Sequence, residues 1–369
     1  MIIKTSDIKE LCIKISSAID TADIVALTDL IELIVQDNNL YLNITTKEYY
    51  IRAKWPINVD VDFHAVVNAT LFLKLIANMT TETIELNVDD SVLTVIGNGK
   101  YKFPLIYDKD KIIDLPVLEI YNCTSRFDIQ NSISQSILTY NSKEFSKSVA
   151  TNIVQNYYYV DEYGAITFRK GACVTKFNLD SPIKILLPQK IVKLFKLFKD
   201  DTVKFSLGYD KISDDIIQTK VKFETSDIIL TAITSSDDAL VDTVPVKIIR
   251  DRAYNLPYEY NIILNKNLLL DTIKRLSLFS SNDISKMYGK FVFLSDKVIV
   301  SDCNDDNSEV VPYLKDVKNI NYTAVVEFDD LKMALEKCNS PSVNIGFGNS
   351  QAMSLSFNNV YFVIQEVNY

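Results

Sequence analysis

The apolar positions of the chain recur in two periods, one typical of helices and one typical of strands. Apolar residues three and four apart, which share one helix face, mark six segments: Ser6–Asp20, Asn68–Met79, Asn131–Thr151, Pro188–Asp200, Asn265–Ser281 and Phe328–Asn339. Ser6, Asn68 and Asn265 carry side chains that can cap a helix N-terminus. Pro188 suits a first helical position. We therefore predict six helices, the third of them shorter than its segment.

These segments form three pairs at a regular spacing. The pairs begin at Ser6, Asn131 and Asn265, and their second members begin at Asn68, Pro188 and Phe328. A unit of about 125 to 134 residues thus recurs three times, each with two helices about 60 residues apart. No low-complexity linker separates the units, so we expect them to pack side by side.

Between the helical segments, apolar and polar residues alternate as in half-buried strands. Each second helix is followed by a strand, a polar turn and further strands, as in Thr83–Val88 and Val92–Val95. Strands interrupted by only two helices favour an α+β domain in which helices pack on an antiparallel sheet. We predict three such domains, at residues 1–124, 125–254 and 255–369.

Composition removes several classes of protein. No apolar run reaches the roughly 18 residues of a membrane span, and the first residues lack a signal-peptide pattern, so we expect a cytoplasmic protein. The five cysteines are an odd number with no closely spaced pair, which disfavours disulfides and structural zinc. His64 is the only histidine, and most catalytic layouts need one. We therefore expect no enzyme, no cofactor and no metal.

The formal net charge is -9, and a uniformly acidic surface would repel DNA. The charge is uneven, however, because the six helical segments carry 14 basic and 9 acidic residues, leaving -14 for the remainder. In Pro188–Asp200 the lysines lie opposite the apolar residues. The candidate DNA-facing residues are Lys14, Lys74, Lys143, Lys147, Lys190, Lys193, Lys196, Lys199, Lys266, Lys274 and Arg275. Lysines on an exposed helix face often only keep it solvated, and that reading stays open.

Several local stretches carry a resemblance to a known family. They are Asn68–Ile76, Thr83–Leu86, Gly99–Phe103 and Leu186–Lys190. Together with the threefold plan and the length, they resemble the bacterial-type sliding clamp, the β subunit of the replicative DNA polymerase, in a divergent or phage form. The resemblance covers the whole chain. It implies three clamp domains that form half of a closed ring, with helices lining the hole.

The resemblance also implies a head-to-tail homodimer. By position, Phe103 and Leu105 would lie at one end of the chain, and Leu278 and Phe279 at the other end, in the partner subunit. Pro104 departs from the pattern, since a proline on a pairing edge removes one ladder hydrogen bond. We expect closure of the ring to be weakened or shifted there.

The family binds short peptides of polymerases and clamp loaders in a groove between its second and third domains. The matching run here, Arg169–Val174, keeps only Gly171 and an aliphatic last residue. The groove residues implied by the resemblance are Tyr159, Arg169, Gly171, Cys173, Val174, Pro245, Val363 and Ile364. Core packing is the competing interpretation of the same residues.

The favoured hypothesis is a processivity factor that encircles duplex DNA without sequence preference. Its partners would be duplex DNA, a DNA polymerase, a clamp loader and a second copy of the chain, with no membrane. One alternative is a non-catalytic, β-rich viral structural or assembly protein. Another is a metal-dependent nuclease built on acidic doublets such as Asp89-Asp90, although Asp is favoured at turns in any case.

Overall fold

A computed structural model gives the fold of the chain. It describes residues 1–19, 29–58, 62–141, 153–168, 171–213, 217–235, 238–255, 258–279, 288–315, 317, 319–348 and 352–367. None of the helices in these ranges is long and apolar enough to cross a membrane.

The helices are short and lie mainly within the segments that the sequence marks. They are α1 (Thr5–Ser16), α2 (Ala69–Asn78), α3 (Asn131–Tyr140), α4 (Gln189–Leu194), α5 (Asp238–Val241), α6 (Val246–Arg250), α7 (Lys266–Ser277) and α8 (Phe328–Lys337). Turns of 3-10 helix cover Ile153–Asn156 and Phe195–Leu197, and a π-helical turn covers Asp251–Asn255.

The strands account for most of the remaining chain. The first eleven are β1 (Ile2–Lys4), β2 (Leu30–Gln36), β3 (Asn39–Thr45), β4 (Tyr49–Pro56), β5 (Phe63–Asn68), β6 (Thr83–Val88), β7 (Val92–Ile96), β8 (Lys100–Pro104), β9 (Tyr107–Asp108), β10 (Lys111–Ile112) and β11 (Asn122–Gln130). The next seven are β12 (Tyr157–Asp161), β13 (Gly164–Phe168), β14 (Ala172–Lys176), β15 (Lys184–Pro188), β16 (Thr202–Lys211), β17 (Ile217–Glu224) and β18 (Ile228–Thr234). The last eight are β19 (Tyr260–Asn265), β20 (Tyr288–Phe293), β21 (Lys297–Asp302), β22 (Ser308–Pro312), β23 (Tyr322–Glu327), β24 (Ser342–Phe347), β25 (Ala352–Phe357) and β26 (Val360–Gln365).

One topology occurs three times along the chain. Each repeat has a strand, a helix, four strands, a second helix and three strands. The four middle strands pair in the order fourth, first, second, third, as in β5-β2-β3-β4 and β23-β20-β21-β22. The first strand of the repeat forms a second group with the last three, in which each strand pairs with the next, as in β1-β6-β7-β8 and β11-β16-β17-β18. In each repeat, the third middle strand and the last strand are therefore edge strands of their four-stranded groups, and each can pair with a strand of a neighbouring repeat.

Two eight-stranded sheets join the repeats by antiparallel pairing. In the first, β4 of repeat one pairs with β18 of repeat two. In the second, β14 of repeat two pairs with β26 of repeat three. Both junctions join the third middle strand of one repeat to the last strand of the next. Outside these lie a hairpin of β9 and β10 and two four-stranded sheets, one with edge strands β1 and β8 and the other with edge strands β22 and β23.

The contacts between residues group the chain into two compact units. Unit 1 holds residues 1–132 and 193–235, and unit 2 holds residues 133–192 and 236–369. Repeat two is divided between them because its strands belong to both eight-stranded sheets. The three domain boundaries expected from the sequence stay a prediction beside this division.

The capping residues expected from the sequence behave differently at different helices. The side chains of Asn68 and Asn265 accept hydrogen bonds from the N–H groups of Leu71 and Leu268 at 2.8 and 3.0 Å. The cap expected at Ser6 is wrong, because α1 begins at Thr5 after Lys4, which makes no side-chain cap. The helical position expected for Pro188 is also wrong, since Pro188 ends β15. A strand-ending proline still fixes where α4 begins.

The α4 segment is shorter than its sequence pattern. The α-helix ends at Leu194, a 3-10 turn follows, and Phe198 is extended. The apolar side of the segment is nonetheless buried as the pattern requires, because Ile191, Leu194, Phe195 and Phe198 are all at most 2% exposed. Burial of these side chains decides the segment's orientation, while its helix type changes within it.

Candidate functional site

A pocket of about 170 Å³ lies in unit 2 where β14 pairs with β26. Ala172 and Val363 face each other in the pairing register, and the segment 245–252 passes over them. The lining residues are Phe168, Gly171, Ala172, Pro245, Ile248, Ile249, Arg252, Ala352, Val363 and Gln365. The wall is mostly apolar, and Arg252 is the one charged side chain among its described residues. We refer to this site as the apolar groove.

An ion pair fixes the helix that covers the apolar groove. The guanidinium of Arg250, in α6, donates to both oxygens of Asp161 at 2.6 and 2.8 Å. Asp161 also accepts from the N–H groups of Tyr163 and Gly164 and from the hydroxyl of Tyr159 at 3.1 Å. Burial disfavours the charge of Arg250, but Asp161 outweighs it and raises the arginine pKa. Burial, and then Asp161, raise the pKa of Tyr159 as well.

Five of the groove residues implied by the resemblance lie in strands of one sheet, and they fall on its two faces. Gly171, Pro245 and Val363 line the apolar groove. Tyr159 and Val174 belong to the apolar cluster with Val363.

Cys173 and Ile364 lie in the other core, beside the helices α7 and α8. Neighbouring residues of a strand point to opposite faces, so these two cannot line the apolar groove. Arg169 lies outside the described residues.

Sequence reasoning missed two residues that line the apolar groove. Ile248 is an exposed aliphatic side chain on α6, and Arg252 is the charged member of the wall. The signal that could have found Ile248 is an apolar residue three positions after Pro245, in a segment otherwise bounded by charges. The segment was too short to show a period.

Exposed lysines follow the α4 segment at every third position. Lys193, Lys196 and Lys199 are all exposed, and no described carboxylate forms an ion pair with any of them in the structure. A 3-10 turn has three residues per turn, so residues three apart lie above one another. Lys193 lies in the last turn of α4 and Lys196 lies in the 3-10 turn one such step later, whereas Lys199 follows the extended Phe198. Lys190, at the start of α4, is also exposed.

A cleft of about 630 Å³ in unit 1 combines this segment with α1. Its charged lining residues are Lys9, Glu10, Lys14, Lys196 and Lys199. Ile13, on the same side of α1, is largely exposed. The sequence reasoning missed Lys9, because α1 taken alone has a mixed charge pattern. The positive character of the cleft comes from two helices that are far apart in the sequence.

The other candidate cations differ in their surroundings. Lys14 is 11% exposed, donates to Asp227 at 2.8 Å and lies over the ring of Trp55. Arg275 is held by both oxygens of Glu309 at 2.8 and 2.6 Å. Lys274 is 3.6 Å from Glu336. Such pairing reduces what a side chain can offer to a further anion.

The four remaining candidates have simpler outcomes. Lys74 is exposed on α2, with no ion pair to a described residue, and Lys266 is half-buried at the start of α7. Lys143 and Lys147 lie outside the described residues. A DNA-facing role stays a prediction for the whole set.

The outer strands of the two four-stranded sheets contain or adjoin the expected interface residues. Phe103 in β8 and Leu105 just after it are buried, and Phe103 packs edge-on against Phe72 at 5.8 Å. They stabilise their own unit and leave the backbone edge of β8 for pairing. Pro104 is the last residue of β8, so the missing N–H falls at the end of that edge.

In unit 2, several apolar side chains are exposed near the outer strand β22. Leu278 is 80% exposed and Phe279 is 59% exposed, just after α7. Val310 on β22 and Leu314 beyond it are exposed by more than half. Exposed apolar side chains beside a strand edge that no described strand pairs with are typical of an association site.

His64 belongs to a hydrogen-bonded network and not to a catalytic layout. Its Nε2 lies 2.8 Å from Glu32, and its Nδ1 lies 4.0 Å from Asp114. Glu32 is buried and also accepts from Asn43 at 2.6 Å and from the N–H of Leu115 at 3.3 Å. A buried carboxylate with three donors is already satisfied, so we assign this group a structural role.

The acidic doublets do not form a metal site in the part of the chain that the structure describes. Asp89-Asp90 and Asp305-Asp306 lie in turns, and Asp329-Asp330 begins α8. The single described group of three potential metal ligands is Glu32, His64 and Asp114, which includes none of the doublets. The convergence that two-metal chemistry requires is therefore not found among these residues.

The repeated topology defines the class of fold, and comparison with solved structures names it: the chain has the sliding-clamp fold from end to end. Subunit beta of DNA polymerase III from Pseudomonas aeruginosa superposes with a TM-score of 0.79, at 12% identity, over 100% of both chains. The same subunit from Borrelia burgdorferi gives 0.77 at 14% identity over 100% of this chain and 98% of that one. The sliding clamp of Bacillus subtilis gives 0.76 at 14% over 100% and 98%.

No protein-family model and no curated protein sequence matches the chain. The predicted α+β fold of three repeated clamp units is confirmed by the full-length structural match. The match covers the whole chain and with it all three repeats.

Proposed function

We propose that the chain is a sliding clamp, a DNA polymerase processivity factor that encircles duplex DNA. One observation carries the proposal. Both internal junctions join the third middle strand of one repeat to the last strand of the next. The third middle strand of repeat three is β22 and the last strand of repeat one is β8, and neither has such a partner among the described strands. They are the two kinds of strand that pair at the internal junctions. A second copy supplies the missing partner at each end.

Pairing of β22 with β8 joins the last repeat of one copy to the first repeat of the other, so the association is head-to-tail. Two such pairings close the assembly. β22 of one copy pairs with β8 of the other, and the reverse pair forms on the opposite side, so two copies bring six repeats together. An unpaired strand edge is otherwise a liability, and closure removes it. The exposed side chains of Leu278 and Phe279 then become buried in each interface.

DNA would be held by charge and topology and not by base contacts. The cations we retain for this role are those not committed to an internal carboxylate, chiefly Lys193, Lys196 and Lys199, with Lys9 beside them in the cleft. Lysine–phosphate contacts are sequence-independent and sensitive to salt, which permits sliding. No catalytic step is proposed, and the protein would work in the cytoplasm.

The apolar groove would bind short peptides of a polymerase, a clamp loader and other replication proteins. Its apolar wall and the neighbouring Arg252 fit a peptide with apolar side chains and an acidic or carbonyl group nearby. One neighbouring structure, a Pseudomonas aeruginosa sliding clamp with a TM-score of 0.81 at 11% identity, was solved bound to griselimycin. The run around Gly171 departs from the family pattern, so the preferred peptide would differ.

The mass and shape of the assembly test the proposal. Native mass spectrometry should give a dimer, and negative-stain electron microscopy should show a particle with a central hole. The dimer should be retained on closed circular duplex DNA after loading, and lost when the circle is cut. A stable monomer without a hole, or equal retention on linear and circular DNA, would refute it.

A further inference from the structure

A second pocket lies in unit 1 at the other junction between repeats. It has a volume of about 240 Å³ and opens where β4 pairs with β18. Its lining residues are Tyr50, Arg52, Val117, Leu118, Glu119, Ile120, Cys123, Arg126, Ser206, Lys222, Ile229 and Thr231. We refer to it as the cationic pocket.

The cationic pocket and the apolar groove occupy equivalent places in the repeated topology. Each lies where the third middle strand of one repeat pairs with the last strand of the next. Each is covered by the segment that connects those two repeats, which is 117–123 in unit 1 and 245–252 in unit 2. The fold therefore builds a recess at each internal junction, and the lining residues decide what it binds.

The two recesses differ in charge. Arg52, Arg126 and Lys222 line the cationic pocket, and Glu119 is the single acidic residue among its described lining residues, in a chain whose formal charge is -9. Lys222 is partly neutralised by Glu224 at 2.9 Å. Arg126 is exposed on β11, and no described carboxylate forms an ion pair with Arg52 or Arg126 in the structure. An excess of positive charge remains unneutralised.

Contacts with neighbouring side chains fix the orientation of the Arg52 guanidinium without a ligand. Its Nε donates to the side-chain oxygen of Asn43 at 3.0 Å. Its guanidinium lies over the rings of Tyr41 and Tyr50, 5.4 and 5.8 Å from their centres. Arginine stacked in this way presents its remaining N–H groups in a fixed fork that matches a carboxylate.

Tyr50 gives a second indication of a ligand. The residue is only 2% exposed, and its hydroxyl, which lies beside the Arg52 guanidinium, donates to no acceptor among the described residues. Buried hydroxyl groups are nearly always paired, so an O–H at the wall of a cationic recess lacks an acceptor. A carboxylate bound in the recess would supply one.

We propose that the cationic pocket is a second docking site that binds a carboxylate-bearing peptide segment of a partner protein. The side chains of Val117, Ile120 and Ile229 give the recess an apolar wall, which suits a peptide side chain next to the carboxylate. The volume admits one or two side chains and not a nucleic-acid duplex. The inference concerns this pocket alone and holds whether or not two copies close into a ring.

Cys123 allows the proposal to be tested on the intact protein. It lines the cationic pocket and is exposed, whereas the other four cysteines are buried or half-buried. The rate of its alkylation by N-ethylmaleimide, followed by peptide mass spectrometry, reports occupancy. The probes are acetyl-Phe-Glu-Glu-Leu-amide, its Gln-Gln analogue, inorganic phosphate and a short duplex DNA.

The acidic peptide should slow alkylation of Cys123, and the Gln-Gln peptide should require roughly tenfold more for the same effect, since hydrogen bonds to charged groups are the stronger ones. R126Q and K222Q should each weaken protection about three- to tenfold. K204Q, which removes an exposed lysine from β16 outside the pocket, should leave it unchanged.

Other outcomes would overturn the proposal. Equal protection by both peptides would show that the carboxylates are not recognised. Protection by phosphate or DNA in place of the peptide would identify a different anion. Protection that survives in the R126Q/K222Q double variant, or that is abolished by I248D in the apolar groove, would place binding elsewhere.

Discussion

At the scale of single residues, the helical cations fall into two groups according to the side chains around them. Lys14 and Arg275 are held by Asp227 and Glu309, whereas Lys193, Lys196 and Lys199 extend into solvent. Sequence reasoning treated all of them alike. It could not separate them, because the partners are distant in the chain: Asp227 is 213 residues from Lys14, and Glu309 is 34 residues from Arg275.

The solvent-exposed group should dominate the salt dependence of DNA binding. Replacing Lys193, Lys196 and Lys199 by glutamine removes up to three phosphate contacts. The slope of log affinity against log salt should then fall by about 0.9 for each lost contact, as measured by fluorescence anisotropy with duplex DNA.

A control for this triple variant removes three lysines that lie outside the helices. Lys109, Lys111 and Lys204 are exposed, and replacing them by glutamine changes the net charge equally. Their loss should leave the salt slope nearly unchanged. If the control lowers the slope as much as the triple variant does, net charge and not the helix face controls binding.

The Arg275–Glu309 pair should make stability depend on pH in one direction. Hydrogen bonding to Arg275 lowers the pKa of Glu309 in the folded protein. The stabilisation is therefore present above the ordinary glutamate pKa of about 4.3 and is lost as pH falls through the lower folded value.

Urea unfolding of the protein and of E309Q measures this effect. The difference between their midpoints should be largest near neutral pH and should shrink once the pH falls below about 4. A difference that stays constant over the whole acidic range would mean that the ion pair does not contribute. D306N, which alters a neighbouring turn carboxylate, is the control.

At the scale of elements, the short helix α6 matters more than its length suggests, because it covers the apolar groove. Only a few side chains hold it, and the bidentate pair between Arg250 and Asp161 is the strongest. The pair is largely buried, with 13% and 8% of the side chains exposed. Breaking such a pair leaves an unpaired buried charge, which costs more than the pair itself contributes.

R250M should therefore lower the free energy of unfolding by about 3 kcal/mol, measured by urea denaturation. K247M, at an exposed position of the same helix, should change it little. Combining R250M with D161N removes the stranded charge, so the double variant should lose less than the two single variants add up to. Strict additivity would argue against a coupled pair.

The main elements were predictable from sequence, but the ones that shape both pockets were not. Helices such as α2 and α7 carry a full apolar face and a capping asparagine, so a single segment contains all the information. The α5–α6 region and the segment 117–123 have no period of their own. They are positioned by tertiary contacts such as Arg250–Asp161, which propensity cannot reveal.

At the scale of the whole molecule, the sheets explain why the sequence repeat and the compact units differ. Sequence analysis predicted three domains because the helix pairs recur three times. Each internal sheet, however, takes four strands from one repeat and four from the next, and repeat two is thereby shared between both units. Pairings such as β4 with β18 leave no trace in local pattern, because any alternating strand could pair there.

The same pairing rule predicts which surface would close the proposed ring. L278D should place a charge in the apolar surface beside β22 and shift the dimer toward monomer, since an unpaired charge in an apolar interface is costly. Adding V310D on β22 itself should increase the effect. Native mass spectrometry over a range of concentrations gives the dissociation constant, which we expect to rise at least tenfold, or about 1.4 kcal/mol. The control is I212D, which changes another exposed aliphatic side chain, just after β16, a strand that belongs to a different sheet from β8 and from β22. If I212D dissociates the dimer as strongly as L278D does, or if L278D/V310D remains a dimer, the leftover edges are not where the two copies meet.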